Sequence, residues 1–255
     1  MPIFSTEAYL GQDMRITAVL GATGGIGSAV VAKMIAAGDF VYLLDHASAE
    51  ARASALLNEW PEQSAFIACD LTQPASIEAA FTRIAAHGAG LDACINAAGV
   101  IRRGRFVEVT AEELGEMLTI NVNGAYQALQ AAARLMMVGG GGRIVILASA
   151  HGLRTTSERS AYAMCKGAML ALTRALAVEL GPHGILVNAV APGPVSVGMQ
   201  DAESESRRRW QAATPLGRVA EAGEVARAVA FLAGAENTFV SGETLVVDGG
   251  ANVSM

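Results

Sequence analysis

The chain has 255 residues, of which 52% are hydrophobic and 16% charged, and its formal net charge is −6. This length suits one large α/β domain or two small ones, with enough apolar residues for a sizeable core. The net negative charge argues against a nucleic-acid partner, whose phosphates demand a basic surface. The low fraction of charged residues indicates that part of the surface is buried in an oligomer.

In chain order, short apolar runs that predict β-strands alternate with longer alanine-rich stretches that predict helices. The predicted strands are 16–20, 40–45, 65–70, 93–96, 143–149, 185–190 and 244–247. The predicted helices lie near 26–37, 48–58, 74–86, 111–137, 160–180 and 221–234. This alternation predicts a single doubly wound, Rossmann-type α/β domain over 14–255, with a mostly parallel seven-stranded sheet and helices on both faces.

Three stretches depart from this alternation. Residues 1–13 are predicted to be an N-terminal leader without the basic start and apolar centre of a signal peptide. The polar stretch 194–215 is interpreted either as a substrate loop or lid, or as a solvated surface excursion. The uncharged stretch 184–200 contains prolines and glycines, which favour a strand and loop over a membrane helix, so no membrane partner is expected.

The cysteines and histidines are scattered along the chain. Cys69, Cys94 and Cys165 are odd in number and widely spaced, which is typical of free thiols in a reducing cytoplasm. The four histidines show no metal-ligand spacing, so no metal site is expected. A cytoplasmic protein is therefore predicted.

The first predicted strand runs directly into a glycine-rich turn, GATGGIG at 21–27, and a predicted helix follows. Glycines allow a tight turn and close approach to a pyrophosphate, while the helix N-terminus supplies N–H groups and a positive dipole end. Any tight strand-to-helix turn can use glycine, so the motif alone is not specific. The candidate cofactor contacts in this turn are Gly21, Thr23, Gly25, Ile26 and Gly27.

The second predicted strand ends in Asp45, about 20 residues after the turn. A carboxylate there can bind both hydroxyls of a ribose, and it would repel a 2′-phosphate. Neither Gly24 nor His46 supplies a cation to offset that repulsion. NAD is therefore predicted as the cofactor, rather than NADP.

Three residues in the second half of the chain suggest proton-transfer chemistry. Ser149 ends the predicted strand 143–149, where a side chain faces the ligand crevice, and Tyr162 and Lys166 share one helix face at i and i+4. A free tyrosine has a pKa of about 10, which a nearby ammonium is expected to lower. Tyr162 is therefore the candidate general acid and base. A tyrosine–lysine pair alone arises by chance, whereas its combination with Ser149 and the glycine-rich turn is specific.

With these pieces in this order, the chain resembles the short-chain dehydrogenase/reductase family over nearly its whole length. The matching segments are the turn at 21–27, Asp70 in CDLT, NAAG at 96–99, Asn121 in INVNG, Ser149, Tyr162 with Lys166, Pro192-Gly193 and VVDGG at 246–250. The resemblance implies an oxidoreductase that interconverts a secondary alcohol and a ketone by hydride transfer with NAD(H). It also implies a homotetramer, or a homodimer, packed through the helices at 111–137 and 160–180.

The resemblance further implies a role for each matching residue. Asn121 would hold a water in a proton relay, Ser149 would polarise the substrate oxygen, and Tyr162 would exchange its proton. Lys166 would bind the nicotinamide ribose and tune Tyr162. The remaining implied cofactor contacts are Asp70 and Leu71 at the adenine, Asn96, Ala98 and Gly99 after the fourth strand, and Pro192, Gly193 and Val195 at the nicotinamide.

Local features suggest an anionic hydroxy acid or sugar acid as the substrate. His151 with Arg159 resembles the short-chain 3-hydroxybutyrate dehydrogenases, and Arg102 with Arg103 resembles the sugar-acid members and the dihydrodiol dehydrogenases. Arginine suits a carboxylate because its guanidinium forms two parallel hydrogen bonds. The candidate substrate contacts are Arg102, His151 and Arg159. Alternatively, the arginines are solvated or paired with nearby glutamates, and His151 is only a packed wall.

Three other functions remain open at this point. One is an NADPH-dependent carbonyl reductase of the 3-oxoacyl type, which a carboxylate at Asp45 disfavours. Another is a polyol or dihydrodiol dehydrogenase. The third is a nucleotide-binding protein without catalysis, which the complete set of Asn121, Ser149, Tyr162 and Lys166 disfavours.

Overall fold

Strands and helices alternate along residues 14–86, 88, 90–196 and 211–254, the part of the chain that the computed structural model describes. The strands are β1 (Ile16–Leu20), β2 (Phe40–Asp45), β3 (Ser64–Ala68), β4 (Ala93–Asn96), β5 (Gly142–Leu147), β6 (Ile185–Pro192), β7 (Val195–Ser196), β8 (Ala220–Glu221) and β9 (Thr244–Val247). Seven of them form one sheet in the order β3-β2-β1-β4-β5-β6-β9, and β7 pairs with β8. All neighbouring strands are parallel, which confirms the predicted doubly wound sheet.

Helices cover both faces of this sheet. They are α1 (Gly25–Ala36), α2 (Glu50–Glu59), α3 (Pro74–Ala86), α4 (Ala111–Leu118), α5 (Ala125–Gly139), α6 (Ser160–Leu180) and α7 (Ala222–Ala233). The side chains of β1 alternate between the two layers, as the two-residue period of a strand requires. Ile16 and Leu20 pack with α3 and α5 on one face, and Val19 packs with α1 and α7 on the other. Both faces are therefore apolar, and the functional groups are left to the strand ends.

Two predicted elements differ from the structure near the functional residues. The helix predicted at 111–137 is divided by a π-helical segment, Thr119–Gly124, which contains Asn121. The strand predicted at 143–149 ends at Leu147, and Ser149 lies two residues beyond it, where it caps a short 3₁₀ helix (Ala150–Gly152). In both places the local backbone departs from regular structure at a candidate site residue.

Two of the three stretches that depart from the alternation lie mostly outside the described residues. This is the case for the leader predicted at 1–13 and for 197–210 of the loop or lid predicted at 194–215. The described ends of that loop carry β7 on one side and lead to β8 on the other. The pairing of Val195 with Ala220 fixes these ends beside β6.

One helix, Ser160–His183, is long and apolar enough to cross a membrane by length and composition. It comprises α6 and the 3₁₀ turn Gly181–His183. Met169 and Leu180 of this helix pack in the same apolar cluster as Ile185 and Val187 of β6. We therefore interpret it as one of the helices that cover the sheet.

Candidate active site

The glycine-rich turn after β1 is held in a conformation that other residues could not adopt. Gly21 has a φ of 71°, and a Cβ there would lie 2.7 Å from the backbone of Ala98. A Cβ on Gly27 would overlap the carbonyl oxygen of Gly21. Helix α1 begins after Gly24 without a side-chain cap, so its first N–H groups remain available to an anion such as a pyrophosphate. The predicted contacts Gly25 and Ile26 form its first two positions.

Asp45 lies beside this turn and is held by it. Its Oδ2 accepts hydrogen bonds from the backbone N–H of Thr23 at 2.9 Å and from the Thr23 hydroxyl at 2.7 Å. Its Oδ1 accepts from the backbone N–H of His46 at 2.9 Å. The structure thus brings two predicted cofactor contacts, Asp45 and Thr23, into direct contact at the end of β2.

Sequence reasoning did not find Arg52 at this place. Its Nε donates a hydrogen bond to the Thr23 hydroxyl at 3.3 Å from helix α2. Neither Gly24 nor His46 supplies a cation, but the exposed Arg52 in helix α2 does. A positive charge therefore stands next to the carboxylate that would discriminate NAD from NADP.

The adenine-side candidates, Asp70 and Leu71, follow β3. Burial opposes ionisation of Asp70, but hydrogen bonds from Thr72 and the nearby His46 lower the pKa of its carboxyl overall. The backbone of Leu71 packs so closely on the π-helical segment that a Cβ on Gly124 would overlap the Leu71 carbonyl oxygen. Asp70 is thus an anionic residue on a loop whose position depends on that segment.

Two buried asparagines fix the loop that follows β4. Asn96 Oδ1 accepts from the backbone N–H of Ala98 at 3.3 Å. Asn121 Oδ1 accepts from the N–H of Val100, and its Nδ2 donates to the Val100 carbonyl, both at 2.9 Å. A Cβ on Gly99 would lie 2.6 Å from Asn121 Oδ1 and 3.4 Å from Lys166 Nζ. The side chain of Asn121 is thus held by the backbone of Val100, and Gly99 leaves open the space beside Lys166.

Ser149, Tyr162 and Lys166 meet at the carboxyl end of the sheet. Lys166 is buried, and its Nζ donates to the Leu147 carbonyl at 2.9 Å and lies 5.7 Å from the centre of the Tyr162 ring. The Ser149 hydroxyl oxygen accepts from the backbone N–H of His151 at 3.1 Å, and Ser149 also forms a hydrogen bond with Tyr162. All three line a cavity of about 260 Å³. That cavity is also lined by the predicted contacts Ile26, Ala98, Gly99, Pro192, Gly193 and Val195.

The ionisation of this group differs from the expectation that Lys166 lowers the pKa of Tyr162. Burial is the largest influence and raises the pKa of Tyr162, although a hydrogen bond with Ser149 and the charge of Arg159 oppose it. Burial also lowers the pKa of Lys166 to about 8. The low-dielectric surroundings disfavour both charges, so Tyr162 is a neutral phenol, ready to donate a proton.

Ser149 and Tyr162 also line a larger cavity of about 630 Å³. His151, Arg154, Arg159 and Arg103 line it. Of the three candidate substrate contacts, the structure therefore brings His151 and Arg159 to one cavity with Tyr162.

The third candidate, Arg102, does not line that cavity. Its Nε and Nη2 donate to the Glu116 carboxylate at 2.9 and 2.7 Å. Arg103, the next residue, lines the cavity instead. Helix α4 thus holds Arg102 through Glu116, away from the cavity that Arg103 lines.

His151 and Arg159 are hydrogen-bonded to each other. The Nε of Arg159 donates to Nε2 of His151 at 3.1 Å, so this ring nitrogen must be unprotonated. Burial, and then the charges of Arg159 and Arg103, lower the pKa of His151 to about 4. His151 is therefore a neutral acceptor that orients Arg159.

Arg154 connects the cavity to the C-terminal segment. Its Nη1 donates to the carbonyl oxygens of Asn252 at 3.3 Å and Ser254 at 2.8 Å. The Asp248 carboxylate accepts from the N–H groups of Gly250 and Asn252. Arg154 thus ties the wall formed by 251–254 to the loop after Ser149. Among the described residues, no cluster of three or more histidine, cysteine or acidic side chains could hold a metal ion.

A glycine-rich turn at a helix N-terminus, an acidic residue at the next strand end and a Ser–Tyr–Lys group beside the same cavity define a nicotinamide-dependent oxidoreductase. Comparison with known proteins agrees with this class. The family model described as "Enoyl-(Acyl carrier protein) reductase" matches residues 21–252. The chain belongs to the short-chain dehydrogenase/reductase family.

Curated relatives and solved structures match along nearly the whole chain. The 3-oxoacyl-(acyl-carrier-protein) reductase FabG of Escherichia coli is 33% identical over 237 residues, which are 92% of this chain and 96% of that protein. A short-chain dehydrogenase/reductase from Serratia marcescens has a TM-score of 0.88 at 33% identity, covering 93% of this chain and 98% of the other. A gluconate 5-dehydrogenase from Burkholderia cenocepacia, solved with NADP and tartrate, has a TM-score of 0.89 at 26% identity, covering 98% of this chain and 100% of the other.

Proposed function

We propose that this enzyme interconverts a secondary alcohol and a ketone with NAD(H), and that its substrate is an anionic hydroxy acid or sugar acid. The observation that carries the proposal is that Ser149 and Tyr162 line two cavities at once. The smaller cavity is lined by Lys166 and by glycines expected to lie at a nicotinamide. The larger cavity is lined by Arg103 and Arg159. A carbinol carbon held between them would face both the cofactor and the cationic group.

The roles of the side chains follow from their contacts. Ser149, whose oxygen is occupied by the N–H of His151, would donate its hydrogen to the substrate oxygen. Tyr162 would exchange a proton with that oxygen, donating in the reductive direction and accepting in the oxidative one. Lys166 would bind the nicotinamide ribose through its ammonium, which lies beside the open space at Gly99. When bound, the nicotinamide supplies or accepts the hydride, and its oxidised ring adds a positive charge that favours the phenolate.

The residues present fit a nicotinamide cofactor. The uncapped N-terminus of α1 suits the pyrophosphate, and the carboxylate of Asp45 suits a pair of ribose hydroxyls. Because Asp45 would also repel a 2′-phosphate, we infer that NAD is used rather than NADP. Arg52 and the NADP that is named with the Burkholderia relative support the opposite choice, so this point requires its own experiment.

The anionic substrate is supported by the charges around the larger cavity. Arg103 and Arg159 form no salt bridge with a described carboxylate, whereas Arg102 and Arg105 on the same loop each pair with a glutamate. Burial and the charge of Arg103 lower the pKa of Arg159, which shows that the two cations repel each other. A carboxylate between them would offset this repulsion and accept paired N–H groups. The tartrate named with the Burkholderia relative is a hydroxy acid of this kind.

The second candidate function is an NADPH-dependent reductase of 3-oxoacyl thioesters, which the FabG relatives favour. Polyol dehydrogenases, which act on neutral substrates, and dihydrodiol dehydrogenases form a third group. Neither a thioester nor a neutral polyol supplies a carboxylate to Arg103 and Arg159, which form no salt bridge with a described carboxylate. A substrate panel therefore separates the three.

The experiment measures NADH formation from 3-hydroxybutyrate, gluconate and tartrate, and from neutral diols and polyols of similar length. NADPH consumption with a 3-oxoacyl thioester is measured in parallel. We expect at least one acid to exceed the neutral alcohols about tenfold in kcat/KM. Arg103→Met should raise the KM for that acid about tenfold, and Arg102→Met, its matched neighbour, less than twofold. Faster turnover of neutral alcohols or of the thioester would contradict the proposal.

We further propose that the enzyme is a cytoplasmic homotetramer or homodimer packed through α5 and α6. The supporting observations are exposed apolar side chains on these helices: Tyr126 is 49% exposed, Met164 50% and Val178 80%. The three cysteines are all buried and free, which suits a reducing compartment. Light scattering of the purified protein tests the assembly.

A further inference from the structure

The backbone at Glu158 has an unusual conformation. Its φ is 63°, the one positive φ of a non-glycine residue among the described parts of the chain. Left-handed backbone is uncommon for a residue with a long side chain, and where it persists it clusters at functional sites. Neither the catalytic group nor the cofactor contacts account for it. Glu158 precedes Arg159, which precedes the first turn of α6.

Glu158 also joins the two loops that carry the cations. Its carbonyl oxygen accepts a hydrogen bond from the backbone N–H of Gly104 at 3.2 Å. Gly104 directly follows Arg103, and Glu158 directly precedes Arg159. A single backbone contact therefore holds two loops together at the positions next to both arginines. It works against the repulsion of these charges: burial lowers the pKa of Arg159, and the charge of Arg103 lowers it further.

We propose that Glu158 is a positioning residue that assembles the anion site of this enzyme through its left-handed backbone rather than through its carboxylate. The inference rests on the proposed anionic substrate. It explains how Arg103 and Arg159 are held close enough to bind one carboxylate. It also predicts that selectivity for a carboxylate depends on a residue whose side chain need not touch the substrate. A negative backbone φ at 158 would turn the carbonyl oxygen away from Gly104 and separate the two arginines.

Glu158 has a competing role that the test must separate. Its carboxylate favours the charged form of Arg159, so it could act as a counter-ion. Glycine and asparagine tolerate left-handed backbone without the carboxylate. Glutamine removes the charge and keeps the backbone preference of glutamate. Valine, branched at Cβ, disfavours a positive φ most strongly.

The experiment titrates malonate, a carboxylate that cannot be oxidised here, and malonamide, its neutral analogue, into the NADH-loaded protein by calorimetry. Wild type should bind malonate at least tenfold more tightly. Glu158→Gly, Glu158→Asn and Glu158→Gln should keep that ratio within twofold, and Glu158→Val should bring it close to one. The Kd for NADH should stay unchanged in all variants, which a general loss of structure would not allow.

The outcomes separate the proposed substrate class from the proposed role of Glu158. If wild type does not discriminate malonate from malonamide, the proposed substrate class is overturned and this inference with it. If wild type discriminates and Glu158→Val does so equally, only the role of Glu158 is overturned. It is also overturned if Glu158→Gly, Glu158→Asn and Glu158→Gln all lose the ratio, because the carboxylate is then responsible. If Glu158→Val weakens NADH binding, Glu158→Ala takes its place, and the ratio of malonate to malonamide affinity of that variant decides.

Discussion

The Nε of Arg159 donates a hydrogen bond to Nε2 of His151 at 3.1 Å, and this contact fixes the protonation of the ring. Nε2 must carry a lone pair, so the single proton of the neutral ring resides on Nδ1, which lies 3.2 Å from the Thr155 hydroxyl. His151 therefore orients a cation and does not act as an acid. In a cavity lined by three arginines, a protonated histidine would add a fourth positive charge.

The first prediction concerns the acid stability that this arrangement implies. The pKa of His151 is lowered to about 4 in the folded protein, against about 6.5 in an unfolded chain. Between these values the unfolded state binds the additional proton, so the free energy of unfolding falls as the pH falls from about 6.5 to about 4. His151→Gln, which keeps an acceptor for Arg159 but cannot titrate, should flatten this part of the profile.

Thermal unfolding at pH 4.5, 5.5 and 7.5 checks the prediction. The Tm of His151→Gln relative to wild type should rise progressively towards acid pH. His183→Gln serves as the control, because His183 is exposed on the turn after α6 and its removal should leave the profile of wild type unchanged. Parallel Tm profiles for wild type and His151→Gln would contradict the neutral histidine.

The second prediction concerns Tyr162. Tyr162→Phe removes the hydroxyl and keeps the ring, which packs with Met117 and Cys165. Because general acid–base catalysis contributes roughly 10²–10⁴-fold, kcat should fall by about that factor, while the Kd for NADH stays within about twofold. Stopped-flow turnover and NADH fluorescence measure the two quantities. Full turnover by Tyr162→Phe would exclude Tyr162 as the proton-transfer group.

Local sequence patterns were sufficient for the fold and for the pairing of Tyr162 with Lys166. The apolar runs of β1, β2 and β5 identified the sheet because strands buried on both faces have few polar residues. Tyr162 and Lys166 could be paired because helical spacing at i and i+4 fixes their relative position. The structure confirms the seven-stranded sheet and brings both side chains to Ser149.

The features that sequence reasoning missed all depend on contacts between distant segments. Whether Arg102 or Arg103 faces the cavity depends on Glu116, 14 residues further on. Arg52 reaches Thr23 across 29 residues, and no local pattern signals it. The positive φ of Glu158 likewise lacks a local signature, since glutamate rarely adopts it.

The direction of the Tyr162 pKa shift was missed for a different reason. Sequence reasoning counted the charge of Lys166 but not burial, which disfavours a charge on either side chain. Burial depends on how α6 packs against the rest of the domain. The expectation for the Tyr162 pKa was therefore wrong in direction because it omitted burial, although it placed Lys166 beside Tyr162 correctly.

The third prediction concerns the choice between NAD and NADP. Asp45→Ser removes the carboxylate that would repel a 2′-phosphate and leaves Arg52 beside Thr23. The NADP-to-NAD ratio of kcat/KM should therefore rise at least tenfold. Adding Arg52→Ala should abolish most of that gain, whereas Arg52→Ala alone should change kcat/KM with NAD less than about threefold.

Binding of adenosine 2′,5′-bisphosphate, measured by calorimetry, provides a readout without turnover. Asp45→Ser should bind it more tightly than wild type, and the double variant should not. An unchanged affinity in Asp45→Ser would show that Asp45 does not set the choice. A gain that survives Arg52→Ala would leave Arg52 without a role in binding the phosphate.

The fourth prediction is that the buried charge of Lys166 lowers the free energy of unfolding, although activity depends on this residue. Its ammonium is buried and donates a hydrogen bond to the Leu147 carbonyl, its one hydrogen-bond partner among the described residues. Burial lowers its pKa to about 8. Lys166→Met has a similar volume and no charge. At pH 7 it should raise the free energy of unfolding by roughly 1–2 kcal/mol, less than the full pKa shift implies because the carbonyl loses its donor. The same change should reduce kcat at least a hundredfold.

The pH dependence separates this effect from better packing. The folded pKa of Lys166 is below its unfolded value, so the unfolded chain binds more protons between about pH 8 and 10.5. Wild type should therefore gain stability relative to Lys166→Met as the pH rises through that window, and the difference in Tm should shrink. A difference that stays constant from pH 7 to pH 10 would mean that the substitution acts through packing. A Tm below that of wild type at pH 7 would contradict the proposed cost of the buried charge.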